Sequence, residues 1–201
     1  MISEKGIVLT IGHSNHPLDV FVKLLRKHEV TAVADVRSAP YSRHNPQFNR
    51  EALEKVLKTN GIEYIFLGRE LGARSDDRSC YENGRIQYAR LARTDLFRRG
   101  IERVISSTKD YRVALMCAEQ EPLECHRTLL VACVLARHGV AIEHILPDGR
   151  LEPHEVTLER LLDVPNQEDL FLSREDRLAE ALARQEELIS YVRQDVEVEI
   201  P

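Results

Sequence analysis

Five short runs of apolar, strand-forming residues recur in the first 150 residues of the chain, and segments with helical periodicity separate them. Each run has the length of a β-strand and is too short for a helix. A strand followed by a helix and another strand favours parallel pairing, because the crossover returns the chain to the same end of the sheet. The runs are IVLTI (7–11), TAVADV (31–36), EYIFL (63–67), RVALMC (112–117) and AIEHIL (141–146).

The segments between these runs carry signals for helix ends. Pro17 and Pro122 suit the first turn of a helix, while Gly61 and Gly139 suit the position just past its last residue. The sequence therefore predicts an α/β fold of three layers, with a mainly parallel sheet flanked by helices and a C-terminal helical extension. The helical segments are 17–29, 50–61, a longer insert at about 84–107, and 122–139.

The chain changes character after residue 150. Residues 1–150 carry a small excess of basic residues, whereas residues 151–201 are strongly acidic. In the second part, Ser173 suits the N-cap of a long amphipathic helix that runs to about Arg193. We therefore expect an α/β core domain at 1–150 and an acidic helical tail at 151–201. The apolar side of the tail would pack on the core or on a partner subunit in a homodimer.

Length and composition argue against two broad classes of protein. The longest apolar segment, Leu129 to Ala136, is far below the roughly 18 residues of a membrane span, so no membrane is expected as a partner. The N-terminus lacks the features of a secretory signal. The 4 cysteines are too few and too irregularly spaced for the disulfide framework of a small secreted domain. The sequence predicts a cytoplasmic protein with reduced thiols.

Polar residues follow the predicted strands at the points where they end. In an open parallel sheet, ligands bind beyond the carboxyl ends of the strands. We therefore expect these residues to meet at one edge and to line a pocket there. They are His13 and Ser14 after the first run, Asp35 and Arg37 after the second, and Cys117 and Glu119 after the fourth.

The segment DVRSAPYSRHNPQFN (35–49) is rich in hydrogen-bond donors. Arginine binds a planar anion through two parallel hydrogen bonds, so Arg37, Arg43 and Arg127 would hold a phosphate or a carboxylate. The alternative is that Asp35 and Arg37 form an internal ion pair that shapes the loop. The candidate ligand-binding residues of this segment are Arg37, Ser38, Ser42, Arg43 and Asn45.

Cys117 has two interpretations. A cysteine that ends a buried strand is often an inert apolar residue. As a nucleophile it would need a nearby cation or helix N-terminus, which His126, Arg127 and the helix predicted to begin near Pro122 would supply. Glu119 acts against this by raising the pKa of a thiol. Protons would be handled by Glu119 or Asp35 together with His13 or His126.

Zinc binding by Cys117, Cys125 and His126 is disfavoured by the sequence. The usual short spacing between cysteine ligands is missing, and neighbouring residues on a helix point about 100° apart. We therefore predict no metal site, and the sequence names no cofactor.

Four motifs together resemble the bacterial domain-of-unknown-function family 488. The likeness spans most of residues 7–147, and the tail resembles the tails of the longer members. One departure is Ala73, where members commonly have a second glycine. The motifs are TIGHS (10–14), DVRSAPYSRHNPQFN (35–49), LGRELGAR (67–74) and MCAEQEPLECHR (116–127).

The resemblance implies a compact α/β domain and brings no assigned reaction. Fold-level likeness alone does not assign chemistry, so the residues within the motifs are carried over as candidates only. They are His13, Ser14, Asp35, Arg37, Ser38, Pro40, Ser42, Arg43, Cys117, Glu119, Cys125, His126 and Arg127.

The leading hypothesis is an enzyme or a ligand-binding domain whose pocket recognises a phosphate-bearing small molecule, a nucleotide or a nucleic-acid end. If catalytic, it would be a hydrolase or a transferase with Cys117 and Glu119 at its site. One alternative is a non-catalytic nucleic-acid-binding module that uses the arginine-rich insert, whose affinity would fall steeply with added salt. Another is a thiol or metal sensor that uses Cys117 and Cys125.

Overall fold

A six-stranded sheet lies at the centre of the computed structural model, which describes residues 6–162 and 172–193. The strand order is β3-β2-β6-β1-β7-β8, and only β8 runs antiparallel to its neighbour. Two further strands, β4 and β5, form a separate antiparallel pair. The strands are β1 (Ile7–Gly12), β2 (Ala32–Asp35), β3 (Glu63–Phe66), β4 (Tyr81–Glu82), β5 (Arg85–Ile86), β6 (Val113–Cys117), β7 (Ala141–Ile145) and β8 (Leu151–Pro153).

Helices cover both faces of this sheet, which confirms the predicted three layers. Side chains alternate between the faces of a strand, so Leu115 and Met116 of β6 enter two different apolar clusters. The first cluster includes residues of α5, α6 and α8, and the second includes residues of α1 and α2. The helices are α1 (Leu18–Lys27), α2 (Arg50–Thr59), α3 (Gly68–Leu71), α4 (Tyr88–Leu91), α5 (Asp95–Ser107), α6 (Cys133–Arg137), α7 (His154–Glu159) and α8 (Arg174–Ile189).

The five apolar runs are confirmed as strands of the sheet, but the single helix predicted at 122–139 is wrong. A 3₁₀ turn at Pro122–Glu124 ends at Cys125, whose φ of -137° and ψ of 137° are those of extended backbone. A π-helical segment, Arg127–Ala132, then leads into α6. The extended residue interrupts the helix and reorients the chain directly beside the end of β6.

The described part of the tail packs on the body of the same chain. The Ser173 hydroxyl accepts a hydrogen bond from the backbone N–H of Asp176 at 3.1 Å, as predicted for an N-cap. Helix α8 ends at Ile189, before the predicted end, because Ser190 is extended and the next residues bond to the β4–β5 pair. Not every apolar residue of this helix is buried, since Leu188 is 78% exposed. No helix among the described residues is long and apolar enough to cross a membrane.

Candidate functional site

A cavity of about 230 Å³ opens at the carboxyl edge of the sheet, beside the ends of β2 and β6. Arg37 and Cys117 both line it, so loops that are far apart in the sequence meet at this edge. The C-terminal tail closes one side. The other lining residues are Ser38, Ala39, Ala73, Arg74, Tyr88, Ala118, Glu119, Glu124, His126, Ile189 and Tyr191.

The side chain of Arg37 is held in a buried network after β2. Its Nε and Nη2 donate to the two carboxylate oxygens of Asp35 at 2.9 and 2.6 Å, which is the internal ion pair considered from the sequence. Nη2 also donates to the carbonyl oxygen of Phe48 at 2.9 Å, and the Tyr64 hydroxyl donates to Asp35 at 2.7 Å. Burial disfavours the charged guanidinium, but the bonds to Asp35 outweigh it and raise the pKa of Arg37.

His13 supports this network from the neighbouring loop. Its Nε2 lies 3.1 Å from Arg37 Nη1, and because a guanidinium only donates, Nε2 accepts this bond. Nδ1 then carries the proton and donates to the carbonyl oxygen of Ser14 at 2.8 Å. Burial lowers the pKa of His13 to about 4, so the ring is neutral. With both ring nitrogens committed to protein partners, His13 is placed to orient Arg37.

Two cysteines, a glutamate and a histidine form a cluster on the opposite wall. Glu119 Oε2 lies 3.1 Å from Cys117 Sγ and 3.0 Å from Cys125 Sγ. His126 Nδ1 lies 3.7 Å from Cys117 Sγ and 4.0 Å from Cys125 Sγ. The other ring nitrogen, Nε2, lies 3.0 Å from the Val36 carbonyl oxygen, which can only accept a proton. That contact leaves Nδ1 facing the two sulfurs.

The local backbone explains how these residues come together. The sequence argument against zinc assumed that Cys125 and His126 lie on one helix, and this assumption is wrong because Cys125 is extended. The two side chains therefore reach the same place. On the other side, a Cβ on Gly12 would lie 1.9 Å from the Glu119 carbonyl oxygen. Glycine is thus required for β1 to approach the loop that carries Glu119.

The two thiols have opposite electrostatic environments. The pKa of Cys117 is raised well above its ordinary value, first by its hydrogen bond to Cys125 and then by burial. For Cys125, burial is outweighed by that same bond and by the Arg127 charge, so its pKa is lowered. Burial raises the pKa of Glu119, and the Cys125 charge adds to this. The more acidic thiol is therefore Cys125, whereas the sequence argument considered Cys117 as the possible nucleophile.

Arg127 fixes the loop after β6 and begins a buried hydrogen-bond chain. Its Nη1 donates to the Glu119 carbonyl oxygen at 2.6 Å, and its Nε lies 3.4 Å from Thr10 Oγ1. Thr10 Oγ1 is also hydrogen-bonded to His144 Nδ1 at 2.7 Å, and His144 Nε2 is hydrogen-bonded to His154 Nδ1 at 3.0 Å. Burial lowers the pKa of His144 to about 2, which agrees with a neutral ring. Arg127 is fully buried, so it holds the loop that carries Glu119 and does not face the cavity.

The remaining predicted residues divide into two groups. Ser38 lines the cavity and accepts a hydrogen bond from the backbone N–H of Arg74 at 3.0 Å. Ser42 accepts backbone bonds from residues 44 and 45 within its own loop, and Arg43 is exposed. Among the described residues, those that line the cavity do not include Ser14, Ser42, Arg43 or Asn45.

Several functional candidates were missed from the sequence. Tyr64 lies in β3 opposite Val33, two residues before Asp35 on the same face of β2, so the parallel register was a usable signal. Tyr88 and Tyr191 had no such signal, because they come from the insert and the tail. The guanidinium of Arg74 stacks on Tyr191 at 4.6 Å from the ring centre.

A second cavity continues from the first along the surface. Its volume is about 670 Å³, and it shares Ser38, Ala39 and Arg74 with the smaller cavity. We call the two together the groove. A molecule with its body in the larger cavity would have one end beside Arg37 and Cys117.

Comparison with known proteins gives a family and no activity. The model of one protein family, described as a domain of unknown function, DUF488, matches residues 17–134, which is more than half of the chain. Among curated proteins no match is found.

Proposed function

The chain belongs to the DUF488 family, and because that family's description assigns no activity, we propose a function from the site. We propose an enzyme of the hydrolase or transferase type whose substrate is a phosphate-bearing small molecule bound in the groove. Its anionic oxygen would lie beside Arg37, and its reacting bond beside the Cys117, Cys125 and Glu119 side chains.

The observation that carries this proposal is an unused donor on Arg37. A guanidinium has five N–H groups. Two bonds to Asp35, one to Phe48 and one to His13 use four of them. The fifth, on Nη1, has no acceptor among the described residues, although the side chain is only 6% exposed and lines the cavity. A buried donor without a partner is costly, and a bound oxyanion would satisfy it.

The charges around the groove are compatible with an anion. Arg74, at the junction of the two cavities, forms no ion pair with any described residue and stacks on an aromatic ring. Glu121, in the loop after β6, is paired with Arg160. Glu119 Oε2 faces the two cysteine sulfurs. Arg37 and Arg74 are therefore the arginines of the smaller cavity placed to face a ligand, beside Glu119 and Glu124.

The titratable groups beside the cavity favour a catalytic function over binding alone. Titratable side chains with shifted pKa values that meet in a cleft are typical of active sites. Here the carboxyl group of Glu119 contacts two thiols whose pKa values move in opposite directions. An acceptor and a donor of protons are thus placed beside the ligand position.

The proposal is tested by binding and turnover of phosphate monoesters. The full-length protein is titrated calorimetrically with phenyl phosphate, and with benzyl alcohol as an uncharged probe. It is also assayed for phosphate release from a panel of monoesters. We expect phenyl phosphate alone to bind, and Arg74→Gln to weaken it about tenfold, because a charge-assisted hydrogen bond contributes about 1.5–3 kcal/mol. Arg150→Gln, an exposed arginine paired with Asp148 outside the groove, is the matched control.

The proposal would be abandoned if no monoester bound or if Arg74→Gln and Arg150→Gln behaved alike. Nucleic-acid binding through the insert stays a prediction. Three of the insert's arginines, Arg90, Arg98 and Arg103, are held in ion pairs with Glu82, Asp95 and Glu70.

A further inference from the structure

We infer that Cys117, Cys125 and His126 form a binding site for one divalent, thiophilic metal ion of the zinc class. The inference deepens the proposed function and rests on it in one respect, which is that the metal faces the substrate groove. The potential ligand atoms of the three residues all lie within 4.8 Å of one another.

The distances match those between ligands of a tetrahedral zinc ion. With Zn–S of about 2.3 Å and Zn–N of about 2.05 Å, a tetrahedral angle separates sulfur and nitrogen by about 3.6 Å. The Nδ1 atom of His126 lies 3.7 Å from Cys117 Sγ and 4.0 Å from Cys125 Sγ. Both nitrogen–sulfur distances are therefore within a few tenths of an ångström of the tetrahedral value, and the two sulfurs lie within 4.8 Å of each other.

The surroundings hold the ligands in position. Metal-binding histidines usually donate their second ring N–H to a carbonyl or carboxylate, which fixes the tautomer and the ring. His126 Nε2 makes this contact with the Val36 carbonyl oxygen at 3.0 Å. The backbone N–H of Arg127 lies 3.4 Å from Cys125 Sγ and donates to it. These contacts orient two of the three ligands before any ion binds.

Glu119 has a separate role beside the ion. Its Oε2 contacts both sulfurs, yet it does not belong to the group whose ligand atoms all approach one another. We assign it as the first acceptor of the protons that the thiols lose, since two neutral thiols and one divalent ion give a metal dithiolate and two protons. Cys117, Glu119 and His126 line the cavity, so the fourth metal position faces the groove.

An open fourth position is the arrangement of catalytic zinc sites. Such sites have three protein ligands, and two cysteines with one histidine is a known set, whereas structural sites have four. The fourth position would take water or a phosphate oxygen of the substrate. Bound water would become more acidic and a better nucleophile, whereas a bound phosphate oxygen would have its phosphorus–oxygen bond polarised. Two soft thiolates favour zinc over magnesium or calcium.

The test uses the full-length protein, reduced and freed of metal by a chelator, and titrated with Co²⁺ and then Zn²⁺. Cobalt bound by thiolates has an intense sulfur-to-metal charge-transfer absorption. We expect one equivalent of cobalt to produce it and one equivalent of zinc to remove it. Absence of this absorption, or cobalt bound without it, would overturn the inference.

Variants assign the ligands. Cys117→Ser, Cys125→Ser and His126→Gln should each weaken zinc binding at least tenfold and reduce or abolish the charge-transfer absorption. Cys133→Ser, which replaces a thiol on α6 outside the cluster, is the matched control and should bind as the wild type does. If a ligand variant does not fold, the titration of the wild-type protein still decides the question. Unchanged zinc affinity in the folded ligand variants would refute the assignment.

Measuring phenyl phosphate binding with and without zinc separates the two proposals. If zinc binds as expected but phenyl phosphate does not, the metal site stands and the proposed function fails. Should phenyl phosphate bind while reduced protein takes up no zinc or cobalt, the metal inference fails alone. A disulfide between Cys117 and Cys125, detected as a loss of two hydrogen masses in protein purified without reductant, would count against the metal site if reduction did not restore zinc binding.

Discussion

The two walls of the cavity differ in how completely their polar groups are satisfied. On the Arg37 wall, the Asp35 carboxylate takes two bonds from the Arg37 guanidinium, one from the Arg37 backbone N–H and one from the Tyr64 hydroxyl. The thiol wall instead brings Cys117 and Cys125 within hydrogen-bonding distance of one Glu119 oxygen and leaves a histidine nitrogen facing them. The first wall resembles a structural network with one spare donor, and the second resembles a ligand set.

This difference separates residues that build the site from residues that are free to react. A charged group that is buried and fully bonded stabilises the loop around it, and it is costly to disturb. A cluster of polar atoms with too few hydrogen-bond partners is stabilised when it binds a ligand. Arg37 therefore uses four of its guanidinium donors to hold the loop and leaves the fifth for a ligand, which combines the two roles considered from the sequence. The reactive atoms are more densely placed around Glu119.

The largest expected effect is on the Arg37 wall. Arg37→Ala removes the main partner of a fully buried Asp35 carboxylate, so we expect the free energy of unfolding to fall by about 3–5 kcal/mol. Urea denaturation at neutral pH measures it. Arg150→Ala, which breaks the exposed pair with Asp148, serves as the control and should leave the denaturation midpoint close to the wild type.

A double variant sharpens this result. Asp35→Asn combined with Arg37→Ala removes the uncompensated charge and should recover part of the lost stability. If Arg37→Ala alone were as stable as the wild type, the two walls would not differ in the way described above.

The sequence predicted the positions of both walls better than their chemistry. Apolar runs identified the central strands, and the rule for carboxyl ends of parallel strands brought Asp35, Arg37 and Cys117 to one edge. The strands could be predicted because each one is encoded by a short run of neighbouring apolar residues, which are buried in the core. The ion pair of Asp35 and Arg37 was also considered, since residues two apart on a strand share a face.

The thiol wall was harder to predict because it depends on a break in a helix. Pro122 and the apolar residues from Leu129 onward favour a continuous helix, and nothing local marks Cys125 as extended. The break is favoured by contacts with distant residues, such as the bond from His126 to the Val36 carbonyl oxygen. Likewise, the contribution of Tyr191 to the cavity depends on how the tail returns to the body.

Behind the thiol wall, the buried histidines provide a second expected effect. Burial lowers the pKa of His144 to about 2 and also lowers that of His154, whereas an unfolded histidine titrates near its ordinary value of 6.5. The unfolded chain therefore binds more protons than the native one below pH 6.5. Stability should fall with decreasing pH there, by up to roughly 1.4 kcal/mol per pH unit for each histidine.

Denaturation between pH 7 and pH 5 checks this effect. Replacing His144 and His154 together by Gln should reduce the slope of stability against pH, even if the variant is less stable at pH 7. His44→Gln, which replaces an exposed histidine, should leave the slope unchanged. An equal slope in the double variant would show that the acid sensitivity arises elsewhere, for example at His13.

The smallest expected effect lies on the thiol wall itself and concerns the metal-free protein. Cys125→Ser keeps a group that can donate and accept hydrogen bonds near Glu119. We therefore expect the free energy of unfolding to change by only about 1 kcal/mol, the contribution of a typical hydrogen bond. The same variant should lose the stabilisation that excess zinc gives the wild type, which is about 2.7 kcal/mol at 100 times the dissociation constant. Urea denaturation with and without zinc measures both quantities. A large loss in the metal-free protein would instead make Cys125 a structural residue, because a cluster arranged to bind a ligand contributes most of its free energy only when the ligand is present.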